Sequence, residues 1–318
     1  MNEQILIPQA VAQCGVDYLV EHGYRIKMGT GRDEESVARD VKGCSAILLR
    51  TAPVTRKVIE AEPALKIVAR HGAGYDNIDI AAAEEHGVWA TNAPLSNSNS
   101  VAECTIGLML AAAKKLMELS DSLKRGDFFY KNEHKGLDLE GKTLGIIGFG
   151  RIGRMVAKKA ALGLDMKILA YDPNVRPEDM PEYVTPAGRD DVFSGADFLT
   201  LHCLLTDETR MSVGRREFEL MKDSAYLINC ARGPIVDTAA LVEALNDGRI
   251  AGAALDVFEE EPPDMSDPIF KCKNVTVTPH IASNTVECMD RMALHAAMEI
   301  HRVLSGHKPE WPVNHPRF

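Results

Sequence analysis

The sequence contains the segment Lys142-Thr-Leu-Gly-Ile-Ile-Gly-Phe-Gly-Arg-Ile-Gly153, an apolar run followed by three spaced glycines. The run Thr143–Ile147 is typical of a buried strand, and a helical pattern continues from the last glycine to Leu162. A strand, a glycine-rich turn and a helix in this order form the context in which such glycines bind a dinucleotide. No Gly-Lys-Ser/Thr follows, which excludes a Walker phosphate loop here.

The three glycines have separate roles in such a turn. Gly148 allows the tight bend, Gly150 lets a pyrophosphate approach the backbone, and Gly153 lets the helix pack closely on the strand. The N–H groups at the start of the helix offer partial positive charge to the phosphates. Asp172 ends the next apolar run, 19 residues after Gly153. A carboxylate there accepts hydrogen bonds from a ribose diol and repels a 2′-phosphate, so NAD is predicted over NADP; a glycine turn without ligand is the alternative.

Short apolar runs alternate with helical segments on both sides of this motif, which predicts βαβ units and parallel sheets. The strands expected before it are Gln4–Ile7, Tyr24–Met28, Ala46–Leu49, Lys66–Ala69 and Gly87–Ala90. Those expected after it are Lys167–Tyr171, Phe198–His202, Ala225–Asn229, Ala251–Leu255 and Asn274–Thr278. The expected helices include Ser36–Lys42, Thr55–Ala61, Ile80–His86, one long helix at Ser100–Leu119 and a last one at Thr285–Leu304. The fold class is therefore α/β, with doubly wound parallel sheets.

Length, net charge and cysteine content limit the classes of protein to which this chain can belong. A length of 318 residues suggests two domains, and a net charge of −10 without a basic stripe argues against nucleic acid as a partner. The seven cysteines form no CxxC pair, which favours a reduced, cytoplasmic protein. We expect no signal peptide and no membrane partner, since the longest apolar stretch, Cys104–Ala113, is about half a span. No histidine spacing indicates a metal site.

Three residues follow the ends of predicted strands, where open α/β sheets bind ligands. They are Arg232, Glu261 and His280. Oxidising a secondary alcohol removes a proton as well as a hydride, and a histidine suits the proton transfer. A carboxylate beside it fixes the ring and stabilises the imidazolium, and an arginine offers a planar fork for a substrate carboxylate. Each residue alone has a structural alternative: a surface arginine, a solvated acidic run or a packed histidine.

The motifs around these residues resemble the D-isomer-specific 2-hydroxyacid dehydrogenase family. The resemblance is carried, beside the glycine motif, by Gly72-Ala-Gly-Tyr-Asp-Asn-Ile-Asp79, Asn99-Ser-Val-Ala-Glu103, Asn229-Cys-Ala-Arg-Gly233, Leu255-Asp-Val-Phe-Glu-Glu-Glu-Pro262 and Thr278-Pro-His-Ile281. It implies a Rossmann cofactor domain, residues 98–286, inserted into a flavodoxin-like substrate domain, residues 1–97 plus 287–318. It also implies an NAD-dependent enzyme acting on a small 2-hydroxy or 2-oxo acid, assembled as a homodimer through the long helix and the arm 124–141.

The resemblance also assigns individual residues. The catalytic trio would be Arg232, Glu261 and His280, with His280 as the acid/base. Cofactor contacts would come from Gly148, Gly150, Arg151, Ile152, Gly153, Asp172, His202, Cys203, Cys230, Ala231, Asp256 and Ser283. Substrate contacts would come from Arg50, His71, Gly72, Ala73 and Gly74.

Two questions of function stay open, and one related activity is disfavoured. The nearest branches are the D-3-phosphoglycerate dehydrogenases and the hydroxypyruvate or glyoxylate reductases, so the substrate is either phosphorylated or unphosphorylated. An NAD-sensing corepressor of the same fold is the alternative to an enzyme. Formate dehydrogenase is disfavoured because that branch pairs its histidine with glutamine, whereas this chain has Glu261.

Overall fold

The computed structural model of the protein describes residues 3–316. They form two compact units. Unit 1 consists of the residues up to Asn97 together with those from Asn284 onward, and unit 2 consists of Ser98–Ser283. Each unit is built around its own parallel sheet.

Unit 1 contains a five-stranded sheet in the order β2-β1-β3-β4-β5. Its strands are β1 (Gln4–Ile7), β2 (Arg25–Met28), β3 (Ala46–Leu49), β4 (Ile67–Arg70) and β5 (Trp89–Thr91). Its helices are α1 (Gln13–Glu21), α2 (Glu34–Asp40), α3 (Arg56–Glu60), α4 (Ile80–Glu85) and the last helix of the chain, α11 (Val286–Leu304). All neighbouring strands are parallel, and this order is that of a flavodoxin-like sheet.

The inner strands of unit 1, β1, β3 and β4, are largely apolar because helices cover both faces of the sheet. Every residue of β3 is buried. Leu19 of α1 and Ile300 of α11 belong to the core on one face, and Val37 and Val58, of α2 and α3, belong to the core on the other. Strands buried on both faces read as continuous apolar runs, which is why the sequence located them.

Unit 2 contains a seven-stranded parallel sheet in the order β12-β11-β10-β9-β6-β7-β8. Its strands are β6 (Thr143–Ile147), β7 (Lys167–Tyr171), β8 (Val184–Pro186), β9 (Phe198–Leu201), β10 (Tyr226–Asn229), β11 (Gly252–Leu255) and β12 (Val275–Val277). Its helices are α5 (Ser98–Ala113), α6 (Leu116–Lys124), α7 (Arg151–Leu164), α8 (Arg189–Gly195), α9 (Arg215–Leu220) and α10 (Thr238–Asn246). Read from β8, the first six strands follow the order of a Rossmann sheet, so the predicted fold class is confirmed.

In unit 2, one sequence prediction was wrong and one strand was not predicted. The single helix expected at Ser100–Leu119 is two helices, α5 and α6, because Lys115 between them is left-handed, with φ of 52°. The Ala113 carbonyl accepts a hydrogen bond from the Leu137 N–H at 2.8 Å instead of continuing the helix. Strand β8 was missed because it is a three-residue strand at the sheet edge that ends in Pro186, and such strands carry little apolar signal.

The parallel arrangement brings the loops after β6, β9, β10, β11 and β12 to one edge of the unit 2 sheet. That edge is where an open α/β sheet binds its ligands. Within residues 3–316, no helix combines the length and the apolar character that crossing a bilayer requires.

Candidate active site

The glycine turn after β6 is built so tightly that side chains do not fit at two of its positions. Gly148 has a φ of +94°, and a Cβ there would lie 2.4 Å from the Cys203 nitrogen. A Cβ on Gly153 would lie 2.3 Å from the Gly148 carbonyl oxygen. Both glycines are therefore required by the backbone itself.

Gly150 differs, because a Cβ there would meet nothing within 4 Å. It is the N-cap of α7, and no side chain caps the helix start. The open space above Gly150 and the free amides of a 14-residue helix suit a pyrophosphate. The turn thus fits the dinucleotide that the sequence predicted. Arg151 and Ile152 are the first two residues of this helix.

Asp172 lies beside this turn at the end of β7. Its Oδ2 accepts a hydrogen bond from the Phe149 N–H at 2.8 Å, and its Oδ1 accepts one from the Asn174 N–H at 2.9 Å. Each carboxylate oxygen retains a second lone pair. The residue can therefore hold the turn and still accept hydrogen bonds from a ribose.

His202 and Cys203 follow β9 and pack against the glycine turn. The His202 N–H donates to the Ile147 carbonyl at 2.7 Å, and its Nε2 lies 3.0 Å from the Thr200 hydroxyl. Burial lowers the pKa of His202 to about 3 and raises the pKa of Cys203 to about 11. Both side chains are therefore uncharged at neutral pH, so the residues next to Gly148 add no charge to the turn.

Arg232 lies on a loop that directly follows β10, and the preceding residues fix its course. The side chain of Asn229 spans the loop: Nδ2 donates to the Arg232 carbonyl at 2.9 Å, and Oδ1 accepts from the Ala231 N–H at 3.0 Å. Gly233 then packs so closely that a Cβ there would lie 2.0 Å from the Phe258 carbonyl carbon. The Arg232 loop is thereby pressed against the loop that carries Glu261.

His280 and Glu261 form a direct pair. His280 Nδ1 lies 2.6 Å from Glu261 Oε2, and the other carboxylate oxygen accepts from the Phe258 N–H at 3.2 Å. Within the described residues, Nε2 of His280 makes no hydrogen bond, and 42% of the side chain is exposed. The ring is therefore fixed through one nitrogen and presents the other.

The electrostatics of Glu261 agree with this pairing. Burial raises the pKa of its carboxyl, but the hydrogen bond and charge of His280, with smaller contributions from the Phe258 N–H and the Arg232 charge, outweigh burial and lower it. Glu261 is thus a carboxylate at neutral pH, and its negative charge stabilises a protonated imidazole.

Asp256, which follows β11, holds the loop that carries His280. It is fully buried, and its carboxylate accepts hydrogen bonds from the Thr278 hydroxyl at 2.6 Å and from the N–H groups of Ile281 and Ala282, each at 2.8 Å. Its backbone carbonyl accepts the His280 N–H at 2.8 Å. His280 itself has a φ of 52°, a left-handed conformation that these bonds stabilise.

The structure therefore brings together most residues that the sequence predicted for unit 2. The glycine turn, His202, Cys203, the Cys230–Arg232 segment, Asp256 and the histidine–glutamate pair all lie in the loops at the carboxyl edge of one sheet. Ser283 lies at the C-terminal limit of the unit. Sequence reasoning missed Asn229 and Thr278, which hold these loops; their position at strand ends was the available signal.

The residues predicted to bind substrate lie in unit 1. Arg50 follows β3 and His71 follows β4, and the His71 N–H donates to the Leu49 carbonyl at 2.7 Å. His71 is 2% exposed, and burial, followed by the charges of Arg70 and Arg50, lowers its pKa to about 4. It is therefore a neutral hydrogen-bonding group rather than a cation.

The loop Gly72–Gly74 begins in a conformation that favours glycine. Gly72 has a φ of +144°, and a Cβ there would lie 3.0 Å from Arg70 Nη1. Arg70, which the sequence analysis did not single out, also donates to the His71 carbonyl and to Asn77 Oδ1. Across the described part of the chain, no group of three or more His, Cys, Asp or Glu side chains is arranged to hold a metal ion.

Comparisons with known proteins bear on both the fold and the site. Residues 106–282 match the family described as D-isomer specific 2-hydroxyacid dehydrogenase, NAD binding domain. A D-3-phosphoglycerate dehydrogenase of Methanocaldococcus jannaschii is 42% identical over 319 residues, which cover 99% of this chain and 60% of the relative. The chain thus spans about three fifths of the length of this curated relative.

Two solved structures show the same architecture over 98% of this chain. The TT0316 protein from Thermus thermophilus has a TM-score of 0.91 at 32% identity, covering 98% of this chain and 99% of that one. A glyoxylate reductase from Paecilomyes thermophila has a TM-score of 0.89 at 28% identity, covering 98% of both chains. The glycine turn lies inside the segment that the NAD-binding family matches.

Proposed function

The chain belongs to the D-isomer-specific 2-hydroxyacid dehydrogenase family, and we propose that it is an NAD-dependent enzyme that interconverts a small 2-hydroxy acid and its 2-oxo acid. The observation that carries this proposal is the pair formed by His280 and Glu261, with Nδ1 and Oε2 2.6 Å apart. Such a pair is an acid/base, and it belongs to the same unit as the glycine turn.

His280 transfers the proton to and from the substrate. In the direction of oxidation, Nε2 accepts the proton of the substrate hydroxyl, and the resulting imidazolium is stabilised by the Glu261 carboxylate. In the direction of reduction, the imidazolium donates the same proton to the ketone oxygen. NAD, when bound, accepts the hydride in the oxidation and donates it in the reduction.

Arg232 is proposed to hold the substrate carboxylate. Its guanidinium is planar and always charged, which suits two parallel hydrogen bonds to a carboxylate. The Asn229 side chain binds the backbone on both sides of the loop, and Gly233 fixes the loop against Phe258. This rigid support would orient the bound substrate so that its alpha carbon can exchange a hydride with the nicotinamide.

We propose that unit 2 is the cofactor domain and unit 1 the substrate domain, with limits at about residues 97 and 287 as the sequence predicts. The cofactor contacts proposed in unit 2 are the glycine turn, Arg151, Ile152 and Asp172, together with the loops at His202, Cys203, Cys230, Ala231, Asp256 and Ser283. Asp172 favours NAD, because its carboxylate repels a 2′-phosphate. Substrate contacts from Arg50, His71 and Gly72–Gly74 stay a prediction.

The substrates proposed are 3-phosphohydroxypyruvate, hydroxypyruvate and glyoxylate, the 2-oxo acids that correspond to relatives named D-3-phosphoglycerate dehydrogenase and glyoxylate or hydroxypyruvate reductase. The test is NADH oxidation by the purified chain against these three acids, with pyruvate and 2-oxoglutarate for comparison. We expect turnover with at least one of the three. NADH binding without turnover of any acid would contradict the proposal and favour an NAD-sensing binding protein instead.

We also propose that the protein is a homodimer that assembles through α6 and the arm following it. Apolar side chains there are open to solvent in the single chain: Met117 and Leu123 are each 58% exposed and Phe129 is 72% exposed. Exposed apolar patches of this kind commonly mark a protein interface.

Light scattering after size-exclusion chromatography tests this assembly. The unmodified chain should have the mass of a dimer, and the double variant Leu123→Glu, Phe129→Glu should have the mass of a monomer. Leu162→Glu, which changes another exposed leucine of unit 2, is the control and should stay dimeric. A monomeric unmodified chain would contradict the proposal.

Finally, we propose a reducing, cytoplasmic location. None of the seven cysteines forms a disulfide within the described residues, and such thiols persist in reducing compartments. Fractionation of the source cells, with an antibody against the chain, would test this location directly.

A further inference from the structure

A cleft in unit 2 lies at the end of the sheet opposite to the catalytic loops. It has a volume of about 580 Å³, and it is lined by the beginnings of β10 and β12, the end of α5, one side of α6 and part of the arm 124–141. The catalytic loops follow the other ends of these strands, and a strand of four residues such as β10 is about 13 Å long. A cleft of this volume is large enough for a small-molecule ligand.

Three basic side chains line this cleft without a partner for their charge. Lys115 lies between α5 and α6, Arg125 directly follows α6, and Lys273 precedes β12. Within residues 3–316, none of these three side chains forms a hydrogen bond or an ion pair. Because the chain as a whole has a net charge of −10, unpaired positive charges collected in one cleft favour an anion as its ligand.

The two acidic side chains of the cleft already have partners. Glu118 Oε1 accepts a hydrogen bond from the Tyr130 hydroxyl at 2.6 Å and lies 3.7 Å from His134 Nε2. Asp121 Oδ1 lies 3.6 Å from the Nζ of Lys124, which does not line the cleft. The positive charges of the cleft are therefore not neutralised by its own carboxylates.

The wall that the arm contributes to the cleft is held in place by its own contacts. The rings of Tyr130 and His134 stack, with their centroids 3.6 Å apart and their planes 8° from parallel. His134 Nδ1 lies 2.9 Å from the Tyr130 carbonyl oxygen, and since a carbonyl only accepts, this nitrogen carries the proton. With the Tyr130 bond to Glu118, these contacts tie the arm to α6. A cleft that is formed in advance lowers the entropic cost of binding a ligand.

The cleft and the proposed dimer contact use different sides of α6. Glu118, Asp121 and Arg125 are spaced three and four residues apart, which places them on one side of the helix, and all three line the cleft. Leu116 and Leu123 are 52% and 58% exposed and do not line it. At about 100° per residue, Leu116 lies opposite to Arg125. We therefore expect ligand binding to leave the dimer intact.

We propose that this cleft is a second ligand site, which binds a small organic anion that carries two or more carboxylate or phosphate groups. The three basic side chains pair with the anionic groups, and the guanidinium can hold two oxygens of one group at once. Ala111, Ala112 and Val275 line the cleft beside them and contact the carbon skeleton of the ligand. None of these residues belongs to the proposed catalytic machinery, so the site does not depend on the proposed reaction.

Isothermal titration calorimetry of the full chain tests the site, with citrate and fructose 1,6-bisphosphate titrated separately. The first probe carries only carboxylates and the second only phosphates, so the pair of titrations distinguishes the two kinds of anion. We expect at least one of them to bind once per chain, and more weakly as the salt concentration rises. Absence of binding by both probes at millimolar concentration would overturn the proposal.

Lys115→Gly is the most informative variant. Lys115 has a left-handed backbone with φ of 52°, which glycine adopts without strain, so the variant removes the charge and should keep the fold. We expect Lys115→Gly and Lys273→Ala each to weaken probe binding about tenfold or more, the effect of losing one charge-assisted hydrogen bond. Lys271→Ala is the control, because this exposed lysine lies two residues from Lys273 and does not line the cleft. It should bind the probe as the unmodified chain does.

Two further results would overturn the site. One is unchanged probe binding in Lys115→Gly and Lys273→Ala, which would assign the anion to another place such as Arg232. The other is an equal loss in Lys271→Ala, which would show a general effect of charge. Turnover of the 2-oxo acid panel is read separately and should be unchanged in all three variants. A chain without turnover would contradict the proposed function, and the titrations would still test the cleft.

Discussion

The substitution Gly233→Ala tests how closely the Arg232 loop and the Glu261 loop are fitted. A Cβ at residue 233 would lie 2.0 Å from both the carbonyl carbon and the carbonyl oxygen of Phe258, and 2.5 Å from the Glu259 nitrogen. Because carbon atoms rest about 3.5 Å apart, the two backbones must separate by roughly 1.5 Å. These are backbone atoms, so no side-chain rotation relieves the overlap.

The separation should affect both stability and turnover. Overpacking of this kind costs about 1–3 kcal/mol of unfolding free energy. A displacement of about 1 Å between positioned groups lowers turnover roughly 10²-fold, or about 2.7 kcal/mol in barrier. The assays are guanidinium unfolding and NADH oxidation with the best 2-oxo acid of the panel. NADH binding should persist, since the glycine turn at Gly148 is untouched.

Gly163→Ala is the matched control. Gly163 lies in α7, and an added Cβ there meets nothing within 4 Å. The same substitution should stabilise this helix by about 0.4–1 kcal/mol and leave turnover unchanged. Normal turnover and stability in Gly233→Ala would refute the argument that close packing of the two loops aligns the catalytic groups.

Three further predictions concern single side chains. His280→Ala should lower turnover roughly 10²-fold or more with NADH binding kept, and near-normal turnover would rule out its acid/base role. Glu261→Gln should lower turnover roughly 10²-fold, because the His280 ring loses the carboxylate that fixes it through Nδ1; unchanged turnover would argue against the pair. Asp172→Ala should relax the NAD preference, measured as the NADH to NADPH ratio of kcat/KM, while an unchanged ratio would assign the preference to another residue.

Strands were predictable wherever both faces of a sheet are covered. Thr143–Ile147 and Lys167–Tyr171 were predicted with the limits that the structure shows, because they are short apolar runs between turn signals. Strand β8 was not found, since a strand at the sheet edge buries little. The break between α5 and α6 was also missed, because the apolar pattern runs through Lys115 and only its left-handed backbone ends the helix.

The candidate site was predictable at the level of residue types and chain order. His280, Glu261 and Arg232 stand after successive strands, and the parallel topology alone places such residues at one sheet edge. The hydrogen bonds that hold these residues in place could not be predicted from the sequence. The hydrogen bonds of Asp256 to the His280 loop depend on distances between residues more than 20 positions apart in the chain. The depressed pKa of His71 depends on burial in the same way.

The most direct measurement of the proposed chemistry follows deuterium from the nicotinamide ring of labelled NADH into the product acid. We expect NMR to find the deuterium at the alpha carbon of a 2-hydroxy acid, in one stereoisomer, and we expect His280→Ala to transfer it far more slowly. If NADH binds to the chain but no deuterium reaches the alpha carbon of any acid in the panel, the proposed hydride transfer is contradicted.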